Sequence, residues 1–280
     1  MDGIRGIAAL MVVFYHYLLS YYPGLFVATP GYSHTSSNIE SILGITPVNI
    51  IYNSGFAVCM FFVLSGFVLS HKYFTTHKSE NPFSLAIKRY FRLVIPILVS
   101  VLISLAILSL NGYSMIQEVV KYTNCSFWLA HLWNVHPSLL QALKEAFFSS
   151  IFKGGTKPYN DVLWTMHPEF LGSLLVFTML ALVGKLRLRY PIYLALILIF
   201  YSGYMPAFII GLGICDYYAS KKRAPMPLPL LILFLLIILY TGSYQILPRN
   251  DIWLPLDPLT KVNKIFPFFD RFYPGSCNSY

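Results

Sequence analysis

Charged side chains are what this sequence has least of. Only 11% of its 280 residues are charged, whereas 56% are hydrophobic, and the mean hydropathy is +0.62. A soluble domain covers much of its surface with polar groups, so this scarcity excludes an ordinary soluble protein. Apolar runs of about 18 residues or more, the length that crosses a bilayer as a helix, recur along the chain. The composition therefore predicts an all-α integral membrane protein.

Cysteine and several catalytic or metal-binding patterns are also scarce. The four cysteines form no C-x-x-C pair and lie at no zinc-site spacing, so no metal is expected. There is no G-x-S-x-G motif, which argues against a serine acyl-enzyme. The 20 Lys and Arg residues outnumber the 11 Asp and Glu residues. In a chain surrounded by membrane lipid this surplus indicates basic cytoplasmic loops, and no nucleic-acid partner is expected.

The long apolar segments predict a polytopic transmembrane helix bundle. Five clear segments cover residues 4–22, 50–70, 93–110, 162–184 and 228–244. A break at 202–206 predicts a short helical hairpin between the last two, which gives about seven crossings. Residues 111–161 are too mixed to span and are expected to be interfacial or re-entrant. We predict one membrane domain over 1–245, followed by a non-membrane or irregular segment over 246–280.

The distribution of basic residues predicts the orientation of the chain. Residues 23–49 contain no Lys or Arg, whereas Lys72, Lys78, Lys88, Arg89 and Arg92 lie between the second and third apolar segments. Because Lys and Arg are enriched in cytoplasmic loops, this second loop is predicted to be cytoplasmic. One crossing earlier, the loop at 23–49 lies on the opposite side, so the N-terminus is also predicted to be cytoplasmic.

The first apolar segment carries two ionisable residues. It reads DGIRGIAALMVVFYH over residues 2–16, with Arg5 and His16 eleven positions apart. At about 100° per residue they share one helix face, separated by about 16 Å along the axis. Ionisable groups inside a span usually face the bundle interior or a water-filled cavity and mark a substrate or proton path. A structural hydrogen bond to a neighbouring helix is the alternative for His16.

Four segments resemble motifs of the acyltransferase-3 family of membrane-embedded O-acyltransferases. Residues 5–16 resemble its opening pattern R-G-x-A-x-x-x-V-x-x-x-H, and residues 61–67 resemble its F-F-V-L-S-G-F run. In that run Ser65 and Gly66 are expected at a close helix contact. Residues 88–96 are similar to its R-x-x-R entry followed by proline. Residues 164–173 resemble the W-T-M-x-x-E-F-x-G-S form of fungal members, with Glu169 at the acidic position.

The resemblance runs from residue 1 to about residue 244 of this chain. The family normally has about ten spans, so the likeness implies a fold that is shortened at the C-terminus. It also implies an enzyme that transfers a short acyl group, acetyl, from acyl-CoA (acetyl-CoA) on the cytoplasmic side. The acceptor would be a hydroxyl of a carbohydrate or of a lipid-linked molecule.

Within this resemblance, the candidate site residues receive distinct roles. His16 is the general base or acyl relay, and Glu169 supports it, partners an arginine or orients the acceptor. The cations that would hold the anionic donor are Arg5, Lys88, Arg89 and Arg92. Ordinary positive-inside charge is the alternative explanation for the last three.

Two other functions remain open from the residues alone. A proton-coupled transporter would also place His, Arg and Glu in spans, but it favours matching broken helices in two inverted halves. The sequence has one such break, at 202–206. A catalytically inactive membrane scaffold would bind neither acyl donor nor acceptor.

Overall fold

The computed structural model describes residues 2–26, 33, 39–44, 46–76, 81–123, 125–126, 128–155, 157–201, 203–220 and 227–242. The predicted segment 246–280 lies outside these residues. The described chain is helical and contains no strand. Its α-helices are α1 Asp2–Tyr21, α2 Ile39–Gly44, α3 Ser54–Thr76, α4 Pro82–Ser109, α5 Ile116–Thr123, α6 Leu139–Lys144, α7 Ser150–Phe152, α8 Met166–Leu182, α9 Arg189–Ile199, α10 Met205–Ser220 and α11 Leu228–Gly242. Short 3-10 turns cover Pro23–Leu25, Pro47–Tyr52, Leu129–His131 and Asp161–Thr165, and Glu145–Ser149 is a π-helical turn.

Four helical stretches of the described residues are long and apolar enough to cross a membrane. They are Asp2–Tyr21, Ser54–Thr76, Pro82–Ser109 and Asp161–Leu182, the last formed by a 3-10 turn that continues into α8. Their 20 to 28 residues correspond to about 30–42 Å at 1.5 Å per residue. The predicted all-α membrane helix bundle is therefore confirmed.

Three shorter helices follow α8 within the described part of the chain. α9 has 11 residues, α10 has 16 and α11 has 15. α9 ends before the break predicted at 202–206, whereas α10 begins within it, at Met205. At 1.5 Å per residue the two helices are about 16 and 24 Å long. The total of about seven crossings stays a prediction, because these helices are shorter than a typical span.

The start of α4 is fixed by its N-terminal cap. The Asn81 side chain accepts a hydrogen bond from the Phe83 backbone N–H at 2.9 Å, and Pro82 occupies the first turn. Both are favourable helix-start features, because the cap satisfies a free N–H and proline has none to satisfy. α4 therefore starts eleven residues before the predicted position 93, and the basic cluster lies on its first turns.

The first compact unit comprises the described residues within 2–58, 115–131 and 227–242. Here α1 packs against the turns Pro23–Leu25 and Pro47–Tyr52. The Phe26 ring contacts both Tyr15 and Tyr52, with centroid distances of 5.0 and 5.5 Å. α11 joins this unit through a bond from the Asn53 amide to the Gly242 carbonyl at 2.9 Å.

The second compact unit comprises the described residues within 59–114 and 132–220. In it α8 packs against α4 and α10, and α9 packs against α10. Phe208 of α10 is fully buried between two glycines. A Cβ atom on Gly66 would lie 2.2 Å from the Phe208 carbonyl oxygen, and one on Gly172 would lie 2.3 Å from its ring. Small residues thus permit the close approach of α3, α8 and α10, as predicted for Gly66. The prediction of one membrane domain over 1–245 stays a prediction.

Candidate active site

Arg5 and His16 lie on the inward side of α1. Its opposite side exposes large apolar residues, including Ile7, Leu10, Phe14 and Tyr17. Ala8 and Leu19 are buried, while Arg5 and His16 are half-buried. Both residues belong to one continuous helix, Asp2–Tyr21, as the sequence predicted. The first unit therefore keeps these two ionisable groups away from the apolar face that suits lipid.

The His16 ring is oriented by a bond within its own helix. Its Nδ1 atom lies 2.7 Å from the Val12 carbonyl oxygen. A carbonyl oxygen only accepts, so Nδ1 must carry the hydrogen, and the neutral ring then has its lone pair on Nε2. The ring also contacts Tyr15 edge-on at 5.1 Å and Trp128 at 5.6 Å between centroids. In its neutral form the imidazole therefore has its proton-accepting atom at Nε2.

The second unit contains a buried ion pair between Arg89 of α4 and Glu169 of α8. Glu169 Oε1 also accepts a hydrogen bond from the Ser65 hydroxyl at 2.7 Å. Arg89 Nε donates to the Ser173 hydroxyl at 2.9 Å, and that hydroxyl donates to the Glu169 carbonyl at 2.7 Å. The Arg89 and Glu169 side chains are only 10% and 12% exposed. The network joins α3, α4 and α8 and compensates both buried charges.

The predicted site residues fall into two groups. Arg5 and His16 belong to the first unit, and Lys88, Arg89, Arg92 and Glu169 belong to the second. The structure gives Glu169 an arginine partner, which is one of the roles that the sequence left open. Its partnership with His16 stays a prediction. Lys88 and Arg92 are exposed, so these two cations of the basic cluster face outward.

Sequence reasoning missed the two serine hydroxyls of the network and a second ion pair. Arg189 donates to the Asp216 carboxylate, with Nη2 3.0 Å from Oδ1, and Asp216 is fully buried. The available signal was Asp216 itself, the one acid in the apolar run of α10, because such a group needs a partner.

A further buried charge cluster lies outside the four long spans. Glu145, at the start of the π-helical turn, accepts a bond from the Tyr159 backbone N–H at 3.3 Å. Burial raises the pKa of Glu145, and burial lowers the pKa of the nearby Lys157. Lys157 donates to the Lys153 carbonyl at 2.8 Å. Desolvation thus disfavours the charged form of both groups.

Comparisons with known proteins agree with the motif pattern. The acyltransferase-3 model, described as an acyltransferase domain, matches residues 1–268. A curated relative, the O-acetyltransferase PaAT-1 of Phomopsis amygdali, is 25% identical over 257 residues. That alignment covers 80% of this chain and 50% of the relative, so the chain spans about half the relative's length. No solved structure matches significantly. With nearly its whole length matched by the family model, this chain belongs to the acyltransferase-3 family of membrane-embedded proteins.

Proposed function

We propose that this protein transfers an acetyl group from acetyl-CoA to the hydroxyl of a carbohydrate or lipid-linked acceptor. Family membership and the name of the O-acetyltransferase relative support the reaction class. The observation that carries the proposal is the contact between His16 Nδ1 and the Val12 carbonyl oxygen, because it leaves Nε2 of a neutral ring as the accepting atom that a general base needs. This group lies on the inward side of α1, within the motif that matches the family.

In the proposed reaction, the oxygen of the acceptor hydroxyl attacks the thioester carbonyl carbon while His16 Nε2 accepts the hydroxyl proton. The new C–O ester bond forms and the C–S bond breaks. The imidazolium then donates this proton to the departing CoA thiolate. The products are the acetyl ester and free CoA thiol, and His16 is neutral again. The Nδ1 bond to Val12 keeps the ring in the required orientation throughout.

Lys88 and Arg92 are proposed to hold the anionic end of the donor. Both are exposed on the first turns of α4, whereas Arg89 turns inward to Glu169. An ammonium and a guanidinium on one helix start suit phosphate groups. Arg89 then acts on this surface indirectly, because its ion pair with Glu169 fixes α4 against α8. Arg5 on α1 is proposed as a further cation for the donor.

The proposed orientation places the N-terminus and the start of α4 on the cytoplasmic side. The basic residues at the end of α3 and on the first turns of α4, and those that follow α8, support it by the positive-inside rule. The acyl donor is a cytoplasmic metabolite in this proposal, so the basic start of α4 faces the compartment that supplies it.

The test is transfer of radiolabelled acetyl from acetyl-CoA to glycans and lipids in membranes that carry this chain. Wild type is compared with His16→Ala and with the control His71→Ala, which alters an exposed histidine of α3. We expect label transfer in wild type and control and its loss with His16→Ala, at equal amounts of protein. Absence of transfer in all three, or equal transfer in all three, would contradict the proposal.

A further inference from the structure

A cleft of about 530 Å³ lies in the second unit. It is formed along the half of α4 that points away from the basic cluster, between Pro96 and Ser104, and by residues of the loops that follow. Cavities of roughly 300–1,000 Å³ are typical of small-molecule sites. Along α4, Ser100 is about 12 Å beyond Arg92 and Ser104 about 18 Å, at 1.5 Å per residue. The cleft is thus separate from the donor-binding cations.

Two aromatic rings form one wall of the cleft. Tyr113 and Trp133 stack with centroids 4.2 Å apart and ring planes at 8°. The indole Nε1 of Trp133 donates to the Tyr159 carbonyl at 3.0 Å, which fixes the ring. The Trp133 backbone lies in the left-handed region, at φ 52°. A bulky residue in this region is strained, and such strain is concentrated at binding and catalytic sites.

The Tyr159 segment that supports the wall is itself held firmly. The Tyr159 carbonyl also accepts a bond from the Ser104 hydroxyl of α4. Its buried ring extends to Ser138, where the phenol donates to the backbone carbonyl at 2.9 Å and accepts from the backbone N–H at 3.1 Å. The wall is therefore preformed, and a ligand would not have to order it.

The polar atoms of the cleft are few and uncharged. Asn160 donates to the Ser100 hydroxyl oxygen at 2.6 Å and uses its own carbonyl oxygen to accept from the Val162 backbone. Among bonds seen within the described residues, the Ser100 hydroxyl accepts but does not donate, so its hydrogen is available to a ligand oxygen. Every lining side chain is neutral. This chemistry excludes the phosphates of the acyl donor from the cleft.

We infer that this cleft binds the acceptor alcohol, as a neutral saturated ring that carries hydroxyl groups. The inference rests on the proposed function. The stacked Tyr113 and Trp133 offer aromatic surface for an aliphatic ring face, and the aliphatic side chains of Val99 and Ile103 on α4 also line the cleft. Ser100 bonds one ligand oxygen. A sugar ring and an alicyclic alcohol share this chemistry, and the experiment separates them.

The experiment measures tryptophan fluorescence of the full chain in lipid nanodiscs. Methyl β-glucoside and 4-methylcyclohexanol are titrated separately, without acetyl-CoA. We expect a saturable change with at least one alcohol in wild type and in the control Trp164→Phe, and no change in Trp133→Phe. Ile103→Phe narrows the cleft and leaves every tryptophan in place, and it should raise the Kd by about tenfold or more, as for a central contact. The alcohol that changes the fluorescence shows whether the cleft binds a sugar ring or an alicyclic alcohol.

Three results would overturn the inference. The first is no saturable change with either alcohol in wild type. The second is an unchanged response in Trp133→Phe. The third is strong quenching of Trp133 by lipids with brominated chains that neither alcohol relieves, because lipid then occupies the cleft. Alcohol binding without acetyl transfer would contradict the proposed function but not the cleft assignment. Acetyl transfer together with an unchanged fluorescence response in Trp133→Phe would contradict the cleft assignment but not the proposed function.

Discussion

The ion pair between Arg89 and Glu169 allows a quantitative prediction about stability. Glu169→Ala removes the carboxylate and leaves the Arg89 guanidinium, 10% exposed, inside the contact of α3, α4 and α8. Breaking a buried pair in this way typically costs about 3–5 kcal/mol of unfolding free energy. Arg89→Met should cost a similar amount, because it strands the carboxylate instead.

The double variant Arg89→Met with Glu169→Leu removes both charges together. Its main remaining losses are the two serine hydroxyl bonds, at about 0.5–1.5 kcal/mol each. We therefore expect a total loss of about 1–3 kcal/mol, far below the sum of the single variants. The coupling between the two positions should then amount to several kcal/mol, well above the about 0.5 kcal/mol that independent sites show.

The assay is unfolding of the chain in mixed micelles by titration with SDS, followed by circular dichroism. Arg187→Met is the matched control, because Arg187 is exposed and should change stability by no more than about 0.5 kcal/mol. Single losses below about 1 kcal/mol, or losses that add in the double variant, would refute the reasoning.

Three further predictions concern the donor surface, a buried carboxyl and a helix crossing. Lys88→Gln with Arg92→Gln should raise the KM for acetyl-CoA about tenfold with a smaller change in kcat, measured at low salt where exposed charges act most strongly; an unchanged KM would remove these cations from the donor site. Because burial raises the folded-state pKa of Glu145, its protonated form is favoured, and stability falls as pH rises from the unfolded pKa through the folded one. Glu145→Gln should therefore raise the Tm at pH 7.5, with a benefit that vanishes below about pH 4; a lower Tm at pH 7.5 would contradict this. Gly211→Ala should lower the Tm strongly, because its Cβ would lie 2.0 Å from a carbonyl oxygen of α3. Gly213→Ala meets only a ring atom at 3.7 Å and should be tolerated. Equal Tm values for the two variants would refute the close approach of α3 and α10.

The long helices could be predicted because length and hydropathy alone define a span. The prediction for the first helix, 4–22, differs from the observed Asp2–Tyr21 by two residues or fewer at each end. The prediction for α4 began at 93 because charges ended the apolar run there. Charged side chains do not interrupt the backbone hydrogen bonds of a helix, so α4 extends back through the charged residues to its N-cap at Asn81.

The polar contacts between helices were harder to predict. Glu169 was identified as a residue that needs a partner, and Ser65 as a helix contact, but their hydrogen bond joins positions 104 residues apart. Which hydroxyl or guanidinium reaches a carboxylate depends on helix rotation and crossing, and these follow from packing around Phe208. Tyr159 and Trp133 likewise line one cleft because of loop geometry, and loop geometry leaves no periodic pattern in the sequence from which it could be predicted.

The proposed role of His16 is tested most directly by His16→Asn in the purified full chain. The Asn amide can still donate to the Val12 carbonyl, but it offers no basic nitrogen in place of Nε2. Release of free CoA thiol and formation of the acetyl ester are measured together for wild type and variant, at equal concentrations of folded protein. A general base predicts a loss of about 10²–10⁴-fold in the rate of transfer. A variant that folds and transfers acetyl within threefold of wild type would contradict the assignment of His16 as the base.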